Sequence, residues 1–499
     1  MGLLFIFNGN KINFVMKKHL TFLFIAWLAG SLSAFAQSYS KEVLDKIQKV
    51  EQHLAGNIRI LGEKEWKLDE RMKFYHVHGL SMAVVHNYQI EWAKAYGLAD
   101  TASHRSVTTQ TRFQAGSISK SLNGVGVLTL VKDKKIDLSA DINQYLTTRK
   151  FPYDSISKNK KINTANLLSH TAGLAVHGFP GYDVKEAIPT LSQVLDGQKP
   201  ANTEAVRSQF EPGLRFKYSG GGTTISQLML MDVTHQPYDQ YMWERVLKPM
   251  GMTNSSYTQP PAVNDVLATG YNQEGKEIAG KYHIYPEQAA AGLWTTPTDL
   301  CRYIIETQLA YQGKSSKVLS QETTRLRLTP YVDSTVALGV FIAKKGPDTY
   351  FSHGGADEGF LSQYYGSLTN GNGVVIMINS LNGAILNEIV NSVATVYNWD
   401  GFYKPTIKKL ETIPESVLQT YVGEYELAPN FILSVTKDQN RLITQATGQP
   451  KFEVFPETQT KFFPKEFESQ LEFVKDESGK VTKMILYQGG RTTEAKKIK

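Results

Sequence analysis

The alternation of apolar and polar residues predicts helices and a strand hairpin in the first third of the chain. Between residues 41 and 75, apolar residues recur near the 3.6-residue period of a helix. The runs Gly79–Val85 and Ile90–Tyr96 predict two strands, and the four residues between them predict a hairpin turn. A further helix is predicted from Ile118 to the lysine-rich stretch that begins at Lys132.

The middle of the chain and the region after it have different patterns. Residues 150–330 are punctuated by Pro and Gly in a way typical of helices and loops. Strands are predicted at Val336–Ile342, Leu361–Tyr365 and Val374–Ile378, and a helix follows at Leu386–Val396. We therefore expect an α+β layout in which strands from both ends of the sequence form one sheet, with helices between them.

A second, smaller domain is predicted after the composition shifts near Trp399–Lys409. Six short strand-like runs follow: Tyr421–Leu427, Phe431–Val435, Arg441–Gln445, Phe452–Phe455, Leu471–Val474 and Thr482–Tyr487. Short strands at regular spacing, separated by turn residues, predict a small all-β domain. We place the main domain at residues 37–400, a linker at 401–411 and a small β-barrel-like domain at 412–499.

Composition excludes several classes of protein. The 499 residues are 41% hydrophobic and 20% charged, which is ordinary for a globular protein and excludes a disordered or collagen-like chain. The formal net charge is +7; residues 1–36 contribute three lysines and no acid, so the remainder carries +4. So small a charge on so long a chain does not indicate nucleic-acid binding. The single cysteine, Cys301, excludes an intramolecular disulfide.

The N-terminus has the pattern of a secretory signal peptide. From Met16 the chain reads Lys17-Lys18-His19, then an apolar run from Leu20 to Ala29, then small residues ending in Ala34-Phe35-Ala36. The apolar run is shorter than the about 20 residues that a membrane span needs. We predict that residues 1–36 are removed, that Met16 is the true start, and that the protein is exported, periplasmic or secreted, without a membrane span.

A serine and a lysine three residues apart are the first candidates for chemistry. Ser117 and Lys120 follow a glycine turn at the start of the predicted helix, so that their side chains share one face. A lysine with a lowered pKa can accept a seryl proton, and the N–H groups of a helix N-terminus stabilise an oxyanion. The spacing alone has little specificity, and the alternative is a helix-capping serine beside a solvated lysine.

Two further segments carry candidate polar groups. Tyr218 lies beside the glycines at 220–222, ahead of a predicted helix. His353 is followed by Gly354 and Gly355 between predicted strands, where glycine often marks a close approach of the backbone to another group. Taken singly, these residues read as a core tyrosine and a loop histidine.

Taken together, the order and spacing of these motifs, with Leu167–Leu174 and Ala289–Leu300 between them, resemble a known superfamily. The chain is similar to serine β-lactamases and penicillin-binding proteins, specifically the branch of class C β-lactamases, D-Ala-D-Ala carboxypeptidases and related esterases. The resemblance covers about residues 65–400 and implies an antiparallel sheet flanked by helices. The C-terminal part, from Tyr421, resembles the lipocalin-like domain of some relatives.

The resemblance implies a role for each motif. Ser117 corresponds to the acylated nucleophile and Lys120 to its proton partner. Tyr218 corresponds to the tyrosine that carries protons to the leaving group. His353 begins a triplet in which a cation or an imidazole contacts the acidic group of the substrate. The oxyanion hole would be the backbone N–H groups of Ser117 and Ala356.

Two positions depart from the family pattern. Gly220 stands where many relatives have an asparagine that binds a substrate amide, and His353 replaces the lysine of the better β-lactamases. Both departures favour an esterase or peptidase over strong β-lactam hydrolysis. The resemblance assigns Gly220, Gly354 and Gly355 to substrate binding.

Three rival motifs are weaker. His76-Val77-His78 is a possible metal pair, but strand alternation explains it better. Gly313-Lys314-Ser315 lacks the upstream glycine of a phosphate loop. There is no Gly-x-Ser-x-Gly elbow to pair with His170 in an α/β-hydrolase triad.

The sequence therefore predicts an exported serine hydrolase that forms an acyl-enzyme on Ser117 without a metal or organic cofactor. Its partners would be small esters, amides or D-amino-acid peptides rather than nucleic acid. The alternative is a non-catalytic module that binds penicillin or cell-wall peptide, and Gly220 keeps that alternative open. The oligomeric state stays undetermined at this level.

Overall fold

The computed structural model describes residues 39–262, 264–449 and 451–499. The predicted signal peptide, residues 1–36, lies outside the described residues. In the part that is described, none of the helices combines the length and the apolar character needed to cross a bilayer.

The helices and strands have the following bounds. The helices are α1 (Lys41–Gln52), α2 (Leu68–Phe74), α3 (Ser119–Lys132), α4 (Thr164–Leu168), α5 (Leu191–Asp196), α6 (Gly220–Thr234), α7 (Tyr238–Met242), α8 (Lys248–Met250), α9 (Gln288–Ala291), α10 (Pro297–Tyr311), α11 (Gln321–Leu328), α12 (Ala384–Val396) and α13 (Glu415–Tyr421). The first strands are β1 (Ile58–Ile60), β2 (Gly79–His86), β3 (Gln89–Asp100), β4 (Arg105–Ser106), β5 (Phe113–Gln114), β6 (Tyr182–Asp183), β7 (His283–Ile284), β8 (Trp294–Thr295), β9 (Phe341–Lys345), β10 (Asp348–Asp357), β11 (Phe360–Ser367), β12 (Gly373–Ile378) and β13 (Thr406–Lys408).

A seven-stranded antiparallel sheet of the described residues has the order β4-β3-β2-β12-β11-β10-β9. Strand β2 pairs with β12, with Met82 opposite Ile376, so the sheet joins distant parts of the sequence. Both strands are almost wholly buried, because helices α10 and α12 pack against β12. The predicted α+β class, with an antiparallel sheet flanked by helices, is confirmed.

Helix α3 runs through the core and carries the first candidate residues at its N-terminal end. Twelve of its residues, from Ser119 to Leu130, are buried, and an apolar stripe is absent because the helix is surrounded on all sides. Its buried polar groups have partners; the Asn123 amide, for example, donates to the Ser226 hydroxyl on α6 at 2.9 Å. The helix is therefore a fixed support for the residues that precede it.

The C-terminal domain is a closed antiparallel barrel of the strands β14 (Gly423–Ala428), β15 (Phe431–Asp438), β16 (Arg441–Ala446), β17 (Lys451–Pro456), β18 (Lys461–Pro464), β19 (Ser469–Lys475), β20 (Val481–Gln488) and β21 (Arg491–Lys497). This confirms the predicted all-β domain. The aromatic rings of Tyr421, Tyr425, Phe462 and Phe473 fill its interior and are each 1% exposed or less. The interior of an eight-stranded barrel can be filled by side chains, and these four rings lie within it.

Several predicted element boundaries are wrong. Residues 41–75 form two helices with β1 between them, and the chain turns at Gly62, which has φ of +83°. The strand predicted at Val336–Ile342 begins only at Phe341, because Gly339 adopts φ of +81°. Strands β18 and β21 were not predicted. The triplet that starts at His353 lies within β10 rather than between strands.

Candidate active site

The turn before helix α3 presents Ser117 to solvent. Gly116 adopts φ of +51° and begins a single 3₁₀ turn that continues directly into α3. The Ser119 hydroxyl donates to the Gly116 carbonyl at 2.6 Å and so holds the turn closed. Ser117 is partly exposed while its neighbours on both sides are buried, so its hydroxyl is the accessible group of this segment.

Lys120 is buried, with 3% exposure, and its side-chain nitrogen contacts the serine directly. The Nζ atom donates to Ser117 Oγ at 2.9 Å and to the carbonyl oxygen of Ala290 at 2.7 Å. The second bond comes from α9, so two separate helices fix the position of the lysine. This contact excludes the alternative in which Lys120 is a solvated surface residue.

Tyr218 lies on the other side of the lysine. The centroid of its ring is 5.0 Å from Lys120 Nζ. The ring stacks on His170 at 4.2 Å and packs beside His177 at 4.9 Å. Its position follows from the N-cap of α6, where the Ser219 side chain accepts the N–H of Gly222 and the Ser219 N–H donates to His170 Nδ1.

His353 points into the same cluster from strand β10. Its ring lies 6.2 Å from Tyr218 and 5.1 Å from Phe341, and its Nδ1–H donates to the carbonyl of Gly354 at 2.6 Å. Burial and the nearby charge of Lys120 lower the pKa of His353 to about 3, so the ring is neutral at pH 7. Of the two possibilities implied by the resemblance, a cation or an imidazole, the structure contains the imidazole.

Gly355 and Ala356 contact the turn at residues 115–117, which we call the nucleophile turn after the predicted role of Ser117. A Cβ atom on Gly355 would overlap the Ala115 carbonyl, and a Cβ on Gly116 would overlap the Ala356 nitrogen. Strand β10 can therefore reach the turn only because these two positions are glycine. Gly354, by contrast, is exposed, and a Cβ there would make only an ordinary contact, at 3.7 Å from the Ser362 carbonyl oxygen.

A side chain at Gly220 would be crowded. Its N–H donates to the His177 carbonyl at 2.9 Å, and a Cβ would lie 3.1 Å from that oxygen and 3.0 Å from the Phe179 ring. The neighbours at residues 177–179 would therefore have to shift by a few tenths of an ångström to accept a side chain at this position.

Two buried carboxyl groups behind the turn were not predicted. Asp357 Oδ2 accepts the Gly116 N–H at 3.1 Å, and burial raises the Asp357 pKa well above its usual value, while the charge of Lys120 lowers it. Glu287 is fully buried; neither of its oxygens has a hydrogen-bond partner on another described residue, and burial raises its pKa to about 8. Glu287 therefore favours the protonated form at neutral pH, and burial shifts the equilibrium of Asp357 in the same direction.

The sequence offered only partial signals for these additional residues. Asp357 and His170 lie in sequence motifs that were singled out because of other residues, and Glu287 lies just before such a motif. Their burial depends on contacts between segments more than 100 residues apart, which periodicity does not reveal. The His76 and His78 pair forms no metal site: among the described residues, no group of three or more His, Cys, Asp or Glu could hold a metal ion.

Comparisons with known proteins place the chain in a family. The family model described as Beta-lactamase matches residues 67–389, which is more than half of the chain. The chain therefore belongs to the β-lactamase and penicillin-binding-protein superfamily of serine hydrolases, and the resemblance seen in the sequence is confirmed. A second model, described as a domain of unknown function (DUF3471), matches residues 408–497, which contain the barrel.

Individual relatives are distant. Penicillin-binding protein 4* of Bacillus subtilis (strain 168) is 21% identical over 91% of this chain and 100% of its own length. Protein flp of Staphylococcus aureus (strain N315) is 22% identical over 64% of this chain and 63% of its own length. The octameric penicillin-binding protein homologue from Pyrococcus abyssi shares the fold, with a TM-score of 0.59 and 19% identity over 86% of this chain and 98% of the other.

Proposed function

We propose that this protein is a serine hydrolase that works through an acyl-enzyme on Ser117. The observation that carries the proposal is the 2.9 Å contact between Lys120 Nζ and Ser117 Oγ at the mouth of a buried cluster. In its amine form Lys120 accepts the seryl proton as Oγ attacks a carbonyl carbon. The resulting oxyanion lies between the N–H groups of Ser117 and Ala356.

Collapse of the tetrahedral intermediate releases the leaving group and leaves an ester on Ser117. The leaving group takes its proton from Lys120 through the Tyr218 hydroxyl, and water then hydrolyses the ester by the same route in reverse. Neutral His353 keeps the cluster free of a second positive charge beside Lys120.

We propose small esters or amides with an uncharged acyl portion as substrates. The Tyr218 ring, which lies beside Lys120, has the aromatic ring of Phe341 and the neutral ring of His353 as neighbours, and Phe179 lies beside Gly220. Lys120 is the charge that acts on His353, and its Nζ is already bound to Ser117 and Ala290. An aromatic, uncharged surrounding stabilises apolar groups better than a carboxylate.

A non-catalytic binding module is the second candidate, and Gly220 favours it, because glycine supplies no amide-binding side chain at this position. The two functions separate when the protein is treated with a penicillin and with chromogenic esters, a D-Ala-D-Ala peptide and a cephalosporin. Turnover of any substrate that is lost in Ser117→Ala supports the enzyme. A stable adduct without turnover of the panel supports the binding module.

We also propose that the protein is exported after removal of residues 1–36. The basic start, short apolar run and small-residue end of this segment support export, and relatives at this distance are penicillin-binding proteins. The test is the mass of the protein recovered from its native host or a Gram-negative expression host. A chain beginning at Gln37 is expected, and a chain retaining the leader would contradict the proposal.

A further inference from the structure

The end of strand β10 is attached to the nucleophile turn at several consecutive residues. The Ser362 hydroxyl of neighbouring strand β11 donates to the Ala115 carbonyl at 2.9 Å, and Gly355 packs directly on that carbonyl. Ala356 packs on Gly116. The two residues of the proposed oxyanion hole, Ser117 and Ala356, therefore lie on opposite sides of the contact between β10 and the nucleophile turn. We call this contact the seam.

The register of the hairpin directs the Ala356 N–H toward that seam. Asp357 pairs with Phe360 across a two-residue turn, and Ala356 pairs with Leu361. In such a hairpin the closing pair exchanges hydrogen bonds and the next pair does not, so the N–H of Ala356 points away from β11. Strand β9 does not pair with β10 beyond Ser352, so among the described residues β9 does not cover this edge of β10 at Ala356.

Asp357 provides a second side-chain hydrogen bond across the seam. It follows Ala356 in the chain, and its Oδ2 accepts the N–H of Gly116, which precedes Ser117, at 3.1 Å. One hydrogen bond therefore connects the residue after one oxyanion donor to the residue before the other. Asp357 is 5% exposed, so truncation of its side chain would take the acceptor away from the buried Gly116 N–H.

Building on the proposed acyl-enzyme function, we propose that Asp357 is a positioning residue of the oxyanion hole. Its carboxyl fixes the separation of the Ser117 and Ala356 N–H groups by accepting the Gly116 N–H. Its hydrogen bond goes to Gly116 and not to Ser117, so it would act through the turn. Its effect should therefore fall on the stability of the tetrahedral oxyanion rather than on the binding of the substrate.

The charges around Asp357 are consistent with this role. Lys120 on α3, Glu287 and Tyr285 ahead of α9, and the Gly116 N–H on the turn all act on its carboxyl. An ionised carboxylate at this position would repel the oxyanion, whereas a protonated one still offers an acceptor oxygen to Gly116. Burial raises the pKa of Asp357 and so favours the protonated form.

The test compares three proteins under one acylation assay. Asp357→Asn keeps an acceptor oxygen without a charge, and Asp357→Ala removes the acceptor. We expect Asp357→Asn to acylate at a rate within about threefold of the wild type and Asp357→Ala to be about 10- to 100-fold slower, with KM for a chromogenic ester nearly unchanged. Equal rates for Asp357→Ala and the wild type, or no rescue by asparagine, would overturn the proposal.

A matched control lies on the same strand. Asp348 is also a buried aspartate of β10, and it accepts hydrogen bonds from Thr369 and Asn370 at the far end of the strand. Asp348→Ala should lower the melting temperature while leaving the acylation rate within about threefold of wild type. A loss of rate equal to that of Asp357→Ala would show a general structural effect and reject the positioning role.

Two further arms keep the result interpretable. If Asp357→Ala does not fold, Asp357→Glu replaces it, because it keeps the carboxyl but displaces the acceptor by one methylene. Its acylation rate should fall below that of Asp357→Asn, and the reverse order would contradict the proposal. If the wild type itself forms no adduct with a fluorophosphonate or a penicillin, the proposed function fails first, and that result is distinct from a failure of the Asp357 variants.

Discussion

The candidate active-site cluster, which is the group of side chains around Lys120, and the interior of the barrel are both buried, but they contain different kinds of side chain. The barrel interior consists of apolar and aromatic side chains, and its tyrosine hydroxyls are satisfied: Tyr425 donates to the Tyr421 carbonyl at 2.7 Å, and Tyr421 donates to Gln459. The active-site cluster buries ionisable groups, among them Lys120, and the oxygens of Glu287 lack partners on other described residues.

The difference indicates which region is the better candidate for a functional site. Buried ionisable groups cost stability unless they are fully paired, whereas packed aromatic rings contribute to it. A protein keeps such a cluster where chemistry needs it, and strongly perturbed groups concentrate at functional sites. We therefore expect changes in the active-site cluster to alter reaction rates and pH dependence, and changes in the barrel to alter stability alone.

The largest effect should follow the removal of the lysine. Lys120→Ala should lower the acylation rate by about 10²- to 10⁴-fold, because the seryl proton loses its acceptor, while the fold is retained. Rates are measured with a fluorophosphonate and the fold by circular dichroism. Lys132→Ala is the control, since Lys132 lies on the same helix and donates to the Val318 carbonyl. Near-normal acylation in folded Lys120→Ala would reject the role of this lysine.

The prediction that changes in the barrel alter stability alone is tested at Phe473. Its ring stacks on Tyr421 at 4.3 Å and is 1% exposed, so Phe473→Ala should cost about 3–5 kcal/mol of unfolding free energy. Below the unfolding transition the acylation rate should equal that of the wild type. Phe467, which is 37% exposed, gives the matched control Phe467→Ala. A loss of acylation rate in the native protein would break the proposed division between the two regions.

A smaller effect is expected at Gly220. Gly220→Asn restores the residue type that the family pattern has here, but its Cβ would crowd Phe179 and the His177 carbonyl. We expect a loss of about 1–3 kcal/mol in unfolding free energy and no gain in cephalosporin hydrolysis. Gly178→Asn, where a Cβ meets nothing within 4 Å, serves as the control in denaturant titrations. Enhanced cephalosporin turnover would mean that the segment yields readily to the new side chain.

The smallest effect is a change in the pH dependence of stability. The pKa of Glu287 is raised to about 8, so its contribution to stability is complete below the unfolded pKa and is lost as pH rises through about 8. Glu287→Gln should remove a decline of at most about 1.4 kcal/mol per pH unit. His353 has the opposite effect: because its pKa is lowered, it reduces the stability only as the pH falls below 6.5. The unfolding free energies of the two proteins are therefore compared between pH 6.5 and 8. Parallel curves for the two proteins would contradict the assignment.

How much of this could be foreseen depends on the distance over which each feature is determined. Ser117 and Lys120 are one helical turn apart, so helical periodicity alone predicts that they share a face. The strand position of His353 was missed because two glycines follow it and usually mark a loop. In the structure, close packing of β10 against the nucleophile turn requires glycine at position 355.

Other features arise only when distant segments come together. The hydrogen bond from Gly116 to Asp357 joins residues 241 positions apart, and no local pattern encodes it. The same is true of the burial of Glu287 and of the filling of the space beside Gly220 by Phe179. Sequence resemblance identified the segments of the site, but the crowding and charge within it required the fold.

The most direct test of the account is the site of covalent modification. The purified protein is treated with a fluorophosphonate, digested and mapped by tandem mass spectrometry. We expect one adduct, on the Ser117 hydroxyl, and none in Ser117→Ala. Modification of a different residue, or an adduct that persists unchanged in Ser117→Ala, would contradict the assignment of Ser117 as the nucleophile.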